Sequence, residues 1–376
     1  MRIVEVRVRN VPVGAAMRNA AIAFDAMTAS ALVLRTDTGL AGYAFDSIGR
    51  YGKAALLQER FIPRLLSAAP SALLDAQGCI DPPAVARAAM ANEKPGGHGE
   101  RPGAIGLLEA AAWDLRAKAQ GVPAWRAIAD YYGVREASGA IAVYATCGHF
   151  RTDDVLTLEV AQALERGYRC VKIKLGGSIE ADLLRLERAA AALPAAAQWA
   201  VDVNCALAPD ATAAWLDALE PFKLAWIEEP VAPLDFERLN ECAGLTATPL
   251  ATGENLFSLD DARNLLRYGG LRPDRDYLQF DPLLAYGVDE LARIVRLYEG
   301  AGWSRARFVP HAGHLFAAHC VAGLRLGMAE AAPDPALPYG GFWDGVRVEA
   351  GRVTIPERPG VGYEGKRNLF SILEST

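Results

Sequence analysis

The sequence predicts an α/β protein, a parallel α/β barrel preceded by an α+β region. Between Cys170 and His311 a polar residue recurs at almost the same phase of a repeating unit: Lys172 and Lys174 in VKIKL, Asp202 in AVDVN, Glu228 in AWIEEP, Glu254 in ATGEN, Asp281 in LQFDP and His311 in FVPHAGH. From Lys174 onward the steps are 28, 26, 26, 27 and 30 residues. Each is close to the length of one strand, one helix and two loops in a barrel of roughly 250 residues. Each unit also opens as a short apolar run and ends in a charge, as a strand buried on both faces does when it delivers a functional group to one rim.

The elements follow in order. Residues 2–9 alternate apolar and charged, and residues 29–45 read as two strands turning at Thr38–Gly39. Helical segments at 52–69, 83–92 and 104–120 complete the α+β region, and the last stops near Gly121-Val122-Pro123. Barrel strands are expected at 140–146, 170–175, 198–203, 224–228, 250–253, 276–280 and 307–309, with a faint eighth near 322–329. The turn-rich Pro338–Gly345 and the strand-like VRVEAGRVTI after it should return to pack on the N-terminal region. This gives three spans: 1–125, 126–330 and 331–376.

At 376 residues and a formal charge of −6, the chain carries no basic tract, which argues against nucleic acid as a partner. No apolar run approaches a membrane span, and the N-terminus lacks the apolar stretch of a signal peptide. Cys79, Cys147, Cys170, Cys205, Cys242 and Cys320 form no Cys-x-x-Cys and no close pair with histidine, so a reducing, cytoplasmic setting is expected.

A desolvated carboxylate is costly, so a row of them at strand ends calls for a cation. Asp202, Glu228 and Glu254 supply hard oxygen donors suited to Mg²⁺. Alternation along a strand sends Lys172 and Lys174 to one face, and Asp202 with Asn204 likewise, whereas Glu228 and Glu229 point oppositely. Two neighbouring ammonium groups in a partly dry site lower each other's pKa, which makes a lysine usable as a base. A solvated Lys-x-Lys on an edge strand is the plainer alternative, opposed by the flanking Cys170, Val171, Ile173 and Leu175. His314 reads as a packing or supporting group beside the site. The glycine-rich, charged 92–101 lacks the lysine-serine ending of a nucleotide loop and has no strand before it. It reads as a surface loop or as one folded over a site with Lys94 facing an anion.

The constellation resembles the enolase superfamily, and within it the mandelate racemase subgroup, over essentially the whole chain. The resemblance implies a modified TIM barrel, (β/α)7β, under a capping domain. It assigns Lys172 and Lys174 to the Lys-x-Lys strand, Asp202, Glu228 and Glu254 to magnesium, Asp281 and His311 to a dyad, and Glu330 to a hydrogen bond with the substrate carboxylate. The stretches MRNAAIAF, GRYG, NEKPGGHGER, the long run from ATGENLFS to DYLQFD, and YGGFWDGVRVE are similar to the D-tartrate dehydratases of that subgroup. They imply that Asn19, Arg50 and Lys94 form a specificity surface from the cap. Asp46 and Ile48 depart from the asparagines expected there. The implied chemistry is dehydration of a small hydroxy acid: Lys174 removes the α-proton and His311, oriented by Asp281, protonates the departing β-hydroxyl. A racemase using the same enediolate, a Schiff-base lysine aldolase and a non-catalytic barrel are the alternatives. Family members often assemble, so a homo-oligomer is expected.

Overall fold

The computed structural model of the chain describes residues 1–150, 155–194, 196–334 and 337–376. Its N-terminal part is an antiparallel sheet of β1 (Ile3–Pro12), β2 (Thr28–Thr36) and β3 (Ala41–Phe45), in that order. The middle strand β2 is buried along most of its length, centred on its apolar run Ala31-Leu32-Val33-Leu34. The helix Arg101–Gln120 covers this sheet and is buried from Arg101 through Ala117. Contact is close enough that a Cβ at Gly42 would lie 2.2 Å from the Ala111 carbonyl oxygen. The helix ends where Gly121 adopts a left-handed φ of 68° and returns its N–H to Ala117 and Lys118.

Seven parallel strands build the barrel: β4 (Ala140–Cys147), β5 (Cys170–Lys174), β6 (Gln198–Asp202), β7 (Ile227–Glu228), β8 (Leu250–Thr252), β9 (Tyr277–Leu278) and β10 (Met328–Ala331). They pair in the order β10-β4-β5-β6-β7-β8-β9. The remaining gap is bridged by Phe308 and Val309: the Val309 N–H donates to Leu278 O at 2.8 Å, and the Gly327 N–H to Phe308 O at 2.8 Å. The expected strand at 307–309 is therefore a single bridge, hemmed in by a 3-10 turn at Arg305–Arg307 and by Pro310, which has no N–H to extend a ladder. The eighth strand also lies later than expected. Residues 322–324 end the helix Leu315–Leu324, Arg325 turns the chain with φ 55°, and the strand begins at Met328.

Inside the barrel the period of two along each strand sorts side chains into levels. Tyr144, Cys170, Ala200, Trp226, Ala251 and Val309 form a buried apolar plug. One step toward the strand ends come Lys172, Asp202 and Glu228, each two residues beyond a plug residue and each fully buried. The Trp226 ring meets Tyr144 edge-on at 5.1 Å and Tyr277 at 5.2 Å, and its Nε1–H donates to Glu228 at 3.1 Å.

The C-terminal segment divides its packing. Strand β11 (Arg352–Thr354) pairs antiparallel with β4 of the barrel, so it does not join the N-terminal sheet. The final helix Arg367–Glu374 does return there: Phe370 packs edge-on to Tyr43 at 5.5 Å, and Arg9 bonds Ser375 Oγ at 2.6 Å. Among the described residues no helix is long and apolar enough to cross a membrane.

Because Trp226 is both the floor of the charged level and a donor to Glu228, Trp226→Ala is expected to cost about 3–5 kcal/mol of stability. Trp226→Phe should cost less, since only the hydrogen bond and part of the ring are lost. Urea unfolding of the three proteins checks the order; equal midpoints for Trp226→Ala and the parent would remove Trp226 from this role.

Candidate active site

A cavity of about 440 Å³ opens between the barrel's strand ends and two loops of the N-terminal part. Lys174, Glu254, His311 and Glu330 line it from the barrel, while Asn19 and Arg50 line it from the loops. Strand register explains the barrel half. Lys174 pairs directly across from Asp202, and Asp202 from Glu228, so three adjacent strands end at one level.

The charges at this level are paired. Lys172, fully buried, reaches Glu228 at 2.5 Å, Glu330 at 3.1 Å and Asp202 at 3.7 Å. Lys174 is hydrogen-bonded to Asp202, whose other oxygen accepts the Asn204 N–H at 2.8 Å. Glu228 also accepts from Gln279 Nε2 at 2.6 Å. Glu330 accepts from Thr146 Oγ1 and, at 3.0 Å, from the Ala312 N–H.

Asp281 holds the opposite side. Its Oδ2 lies 3.2 Å from His311 Nδ1 and its Oδ1 3.1 Å from His314 Nε2. His314 caps the helix Leu315–Leu324, its Nδ1 accepting the Ala317 N–H at 3.0 Å. A ring nitrogen that accepts a backbone N–H has no proton, so His314 carries its proton on Nε2 and donates it to Asp281. His314 thus supports the dyad without lining the cavity. His311 turns Nε2 toward the cavity, 3.6 Å from Glu254 Oε2.

Lys174 corrects the expectation of a depressed pKa. Burial and Lys172 push it down, but the Asp202, Glu228 and Glu254 carboxylates together outweigh them, and its pKa lies above the ordinary value. Lys172 is likewise held charged: burial is outweighed by Glu228 and Glu330. For His311 burial is again outweighed, here by Glu254, the Asp281 hydrogen bond and Glu330, and its pKa rises to about 10. The imidazole is thereby kept protonated at neutral pH.

The residues fit a hard divalent cation in chemistry, though the carboxylates are turned to the lysines. Glu254 Oε2 is buried with no hydrogen-bond partner, an orphaned acceptor at the cavity wall. Among the described residues no three His, Cys, Asp or Glu side chains are close enough, as oriented, to ligate one ion. Asp202 faces Lys174 and Glu228 faces Lys172.

The loops place the remaining candidates unequally. Asn19 Oδ1 accepts the N–H groups of Ala21 and Ile22 at 2.8 Å each, fixing the turn that brings it to the cavity. Arg50 donates to Asn255 Oδ1 at 2.6 Å, and Asn255 in turn donates to Glu229 at 2.6 Å. Asn204 lines the cavity through a left-handed turn, φ 46°, that folds its amide back onto Asp202 at 3.2 Å. Lys94 is not brought to the cavity: it is exposed, and only its carbonyl is used, by Arg101 at 2.9 Å. The same arginine binds Gly96 O at 2.8 Å, so the loop curls onto its own helix and Glu100 is the residue that reaches the cavity rim.

Glu229 is a site residue that alternation misplaced. The strand stops at Glu228, and Glu229 takes a left-handed φ of 46° that swings its carboxylate into the cavity wall. Pro230 marks the end of the strand, and beyond that end a period of two no longer applies. Burial, then Glu254 and Asp202, push the Glu229 pKa well up. His149, also in the cavity wall, is held neutral with a pKa near 3 by burial and by Lys174 and Lys172. Neither Glu229 nor His149 stands at a phase of the repeat, which is why the spacing gives no sign of them.

Polar groups gathered at the C-terminal ends of barrel strands beneath a separate cap define an enzyme-type barrel site. The chain belongs to the enolase superfamily, matching the enolase C-terminal domain-like family over residues 156–369. It is 30% identical over 270 residues to an o-succinylbenzoate synthase from Geobacillus kaustophilus, spanning 69% of this chain and 67% of that protein. It is 28% identical over 229 residues to a D-mannonate dehydratase from Rhizorhabdus wittichii, covering 52% of this chain but only 54% of that relative. It superposes on an L-talarate dehydratase from a Polaromonas species, complexed with Mg and L-glucarate, with a TM-score of 0.74 at 25% identity over 96% of this chain and 94% of that one.

The curled loop depends on Glu93, which Arg64 meets at 2.5 Å and Arg101 at 3.2 Å, with Arg60 also bonded. Burial raises its pKa, but the three arginines hold it at about 2, below its ordinary 4.5. A depressed carboxyl contributes stability that is complete above the unfolded value and lost as pH falls through the folded one. Glu93→Gln should therefore cost about 2 kcal/mol near neutrality. The gap to the parent should close as pH falls from 4.5 toward 2. Unfolding curves at neutral and acid pH measure it; a gap independent of pH would mean the arginines do not hold the charge.

Proposed function

We propose that this protein is a magnesium-dependent dehydratase of an acid sugar or another small 2,3-dihydroxy acid, similar to the tartrate dehydratases. The observation that carries the reading is that Lys174 and His311, a base and a charged acid, line one cavity together with Glu254 and Glu330. The sugar-acid dehydratase names of its relatives and the Mg and L-glucarate of one structural neighbour support it.

Asp202, Glu228 and Glu254 are the residues that would hold Mg²⁺, which supplies compensating positive charge and a hard Lewis acid beside the substrate carboxylate. With their charge compensated, burial and Lys172 are left as the main influences on Lys174, and both favour the neutral amine. Lys174 then takes the proton from the carbon next to the carboxylate. Lys172 lies on the same strand face and offsets the negative charge that builds on the carboxylate oxygens. The electron pair left on the α-carbon forms the double bond as the β-carbon–oxygen bond breaks. His311, protonated and held by Asp281, gives its proton to the departing hydroxyl, which leaves as water. The enol so formed tautomerises to a 2-keto acid.

The cap refines the substrate. Asp46, one departure from the tartrate pattern, is fully buried and bonded to Lys53 at 2.9 Å through both oxygens, away from the cavity. Ile48, the other, lines the cavity. We infer an acid that meets an apolar surface at this wall while Arg50 and Asn19 face its far polar end.

A panel of sugar acids and the three tartrate stereoisomers, assayed for keto-acid formation, is the first test. With the acid that reacts, Lys174→Ala and His311→Asn should each lower turnover by roughly 10²–10⁴. In D₂O, His311→Asn should still place deuterium at the α-carbon and Lys174→Ala should not. Chelation should abolish turnover and Mg²⁺ restore it, and calorimetry should show weakened Mg²⁺ binding in Glu254→Gln. Full turnover in both acid-base variants ends the assignment. Deuterium in both configurations of unchanged acid without loss of water makes the protein a racemase, and an adduct trapped by borohydride makes it a Schiff-base enzyme.

A further inference from the structure

The loop Phe45–Gly52 touches the site twice. Ile48 and Arg50 face the cavity, and the residue before them, Ser47, faces the dyad. Ser47 is fully buried, and its Oγ lies 2.6 Å from Asp281 Oδ2, the same oxygen that His311 Nδ1 reaches at 3.2 Å. An ionised carboxylate only accepts, so the hydroxyl must donate, and 2.6 Å is the length of a charge-assisted O–H···O⁻ bond. Asp281 therefore takes four donors. On Oδ2 are Ser47 and His311, and on Oδ1 are His314 Nε2 at 3.1 Å and the Leu283 N–H at 2.7 Å. The set of donors lowers its pKa against burial, chiefly through His314 and His311.

These four are not equivalent. His314 and Leu283 belong to the barrel and hold one oxygen of Asp281. Ser47 is the one donor among them that comes from the cap, and it holds the oxygen that orients His311. Its loop is itself fastened: Lys53 bonds both Asp46 oxygens at 2.9 Å, the Ser30 N–H donates to Asp46 at 3.2 Å, and the Lys53 N–H donates to Ser30 Oγ at 2.6 Å. The buried Asp46–Lys53 pair thus sets the height of Ser47 over the barrel.

We propose that Ser47 is a positioning residue for the second half of the reaction. By fixing Asp281 Oδ2 it fixes the ring plane of His311, and it ties that plane to the loop that presents Ile48 and Arg50 to the substrate. This rests on the dehydratase reading above for its kinetic consequence, but not for its structural one. A ligand that shifts the Ile48–Arg50 stretch shifts Ser47 with it, and so moves the acid that protonates the leaving group. Lys174, on the opposite side, has no tie to this loop among its bonded partners, which are Asp202 and the strand.

The test compares the parent with Ser47→Ala and Ser47→Thr, using the acid identified by the panel. In Ser47→Ala, loss of water should slow by between ~10- and ~100-fold, while α-deuterium exchange stays within about twofold. Ser47→Thr, which keeps the hydroxyl, should recover most of the loss. A fall in exchange and elimination together, or no fall in either, overturns the proposal. The second reading needs no substrate. The chain has five histidines, so the imidazole N–H signals in a ¹H–¹⁵N spectrum can be assigned with His311→Asn and His314→Asn. The His311 Nδ1–H signal should move or broaden in Ser47→Ala while the His314 Nε2–H signal stays, and an unmoved His311 signal overturns the proposal. If no acid is turned over by the parent, the dehydratase reading has failed and Ser47 is judged on this spectrum. Should Ser47→Ala not fold, Ser47→Cys keeps the volume with a weak donor and takes the same readings.

Discussion

The structure depends on the mutual compensation of charges buried at one level of the barrel. Lys172, Asp202 and Glu228 are wholly removed from solvent, with Lys174 and Glu330 nearly so. Any one of them alone would cost several kcal/mol to desolvate. They are tolerated because the two lysines of β5 lie among the carboxylates of other strands: Lys174 across from Asp202, and Lys172 within reach of Glu228 and Glu330. A buried network of this kind adds little net stability compared with apolar packing, so its presence in an otherwise close-packed interior is a sign of use. The apolar plug beneath, closed by Trp226 and Tyr144, bears the packing that the charged level does not supply.

The cap completes the site by contributing the apolar Ile48 together with the polar Asn19 and Arg50. Its two loops enclose a space that the barrel's strand ends leave open, and each loop is fixed by local bonds before it meets the barrel: Asn19 closes its own turn, and Asp46 and Lys53 hold the second loop. The loop from 92 to 101 follows the same rule, with Glu93 and Arg101 curling it and His98 resting on Tyr286 at 3.0 Å and on Asp261 at 3.2 Å. Rigid elements carrying loops of this kind separate the strand-end groups of the barrel from the surface that the cap presents to the cavity.

Much of this was legible in the residues because the signals are periodic. The spacing from Lys174 placed the ends of β5, β6 and β7 and came close to those of β8 and β9, since a strand of fixed pitch joined to a helix of similar length repeats at a near-constant step. The signals failed where the period breaks. At 307–309 a proline limits the strand to a bridge, and at 322–329 the apolar run straddles a helix end and a strand start. Alternation placed Lys172 with Lys174 correctly inside β5 but misplaced Glu229, one residue beyond β7, where a positive φ replaces the pleat. Lys94 was wrongly expected at the cavity for another reason. A loop's course is set by whichever side chain binds its carbonyls, and Arg101 reaches those of Lys94 and Gly96. The Lys174 expectation failed on sign, because the depression by burial and Lys172 is outweighed by the carboxylates of Asp202, Glu228 and Glu254.

The carboxylates that raise Lys174 are the ones whose chemistry suits a cation, so the same three side chains set the lysine's protonation according to what else they hold. His311 stands in the opposite relation. Its partners Glu254, Asp281 and Glu330 include one prospective cation ligand and two that are not, so compensating Glu254 still leaves two acidic neighbours favouring imidazolium. In the proposed reading, one change of charge would act unequally on the two sides of the cavity, freeing the amine while leaving the acid protonated. A base and an acid with their pKa values driven apart by environment is the condition for removing a proton and delivering one at the same pH. Asp202 bonds Lys174 directly, whereas Asp281, which is not among the prospective cation ligands, bonds His311.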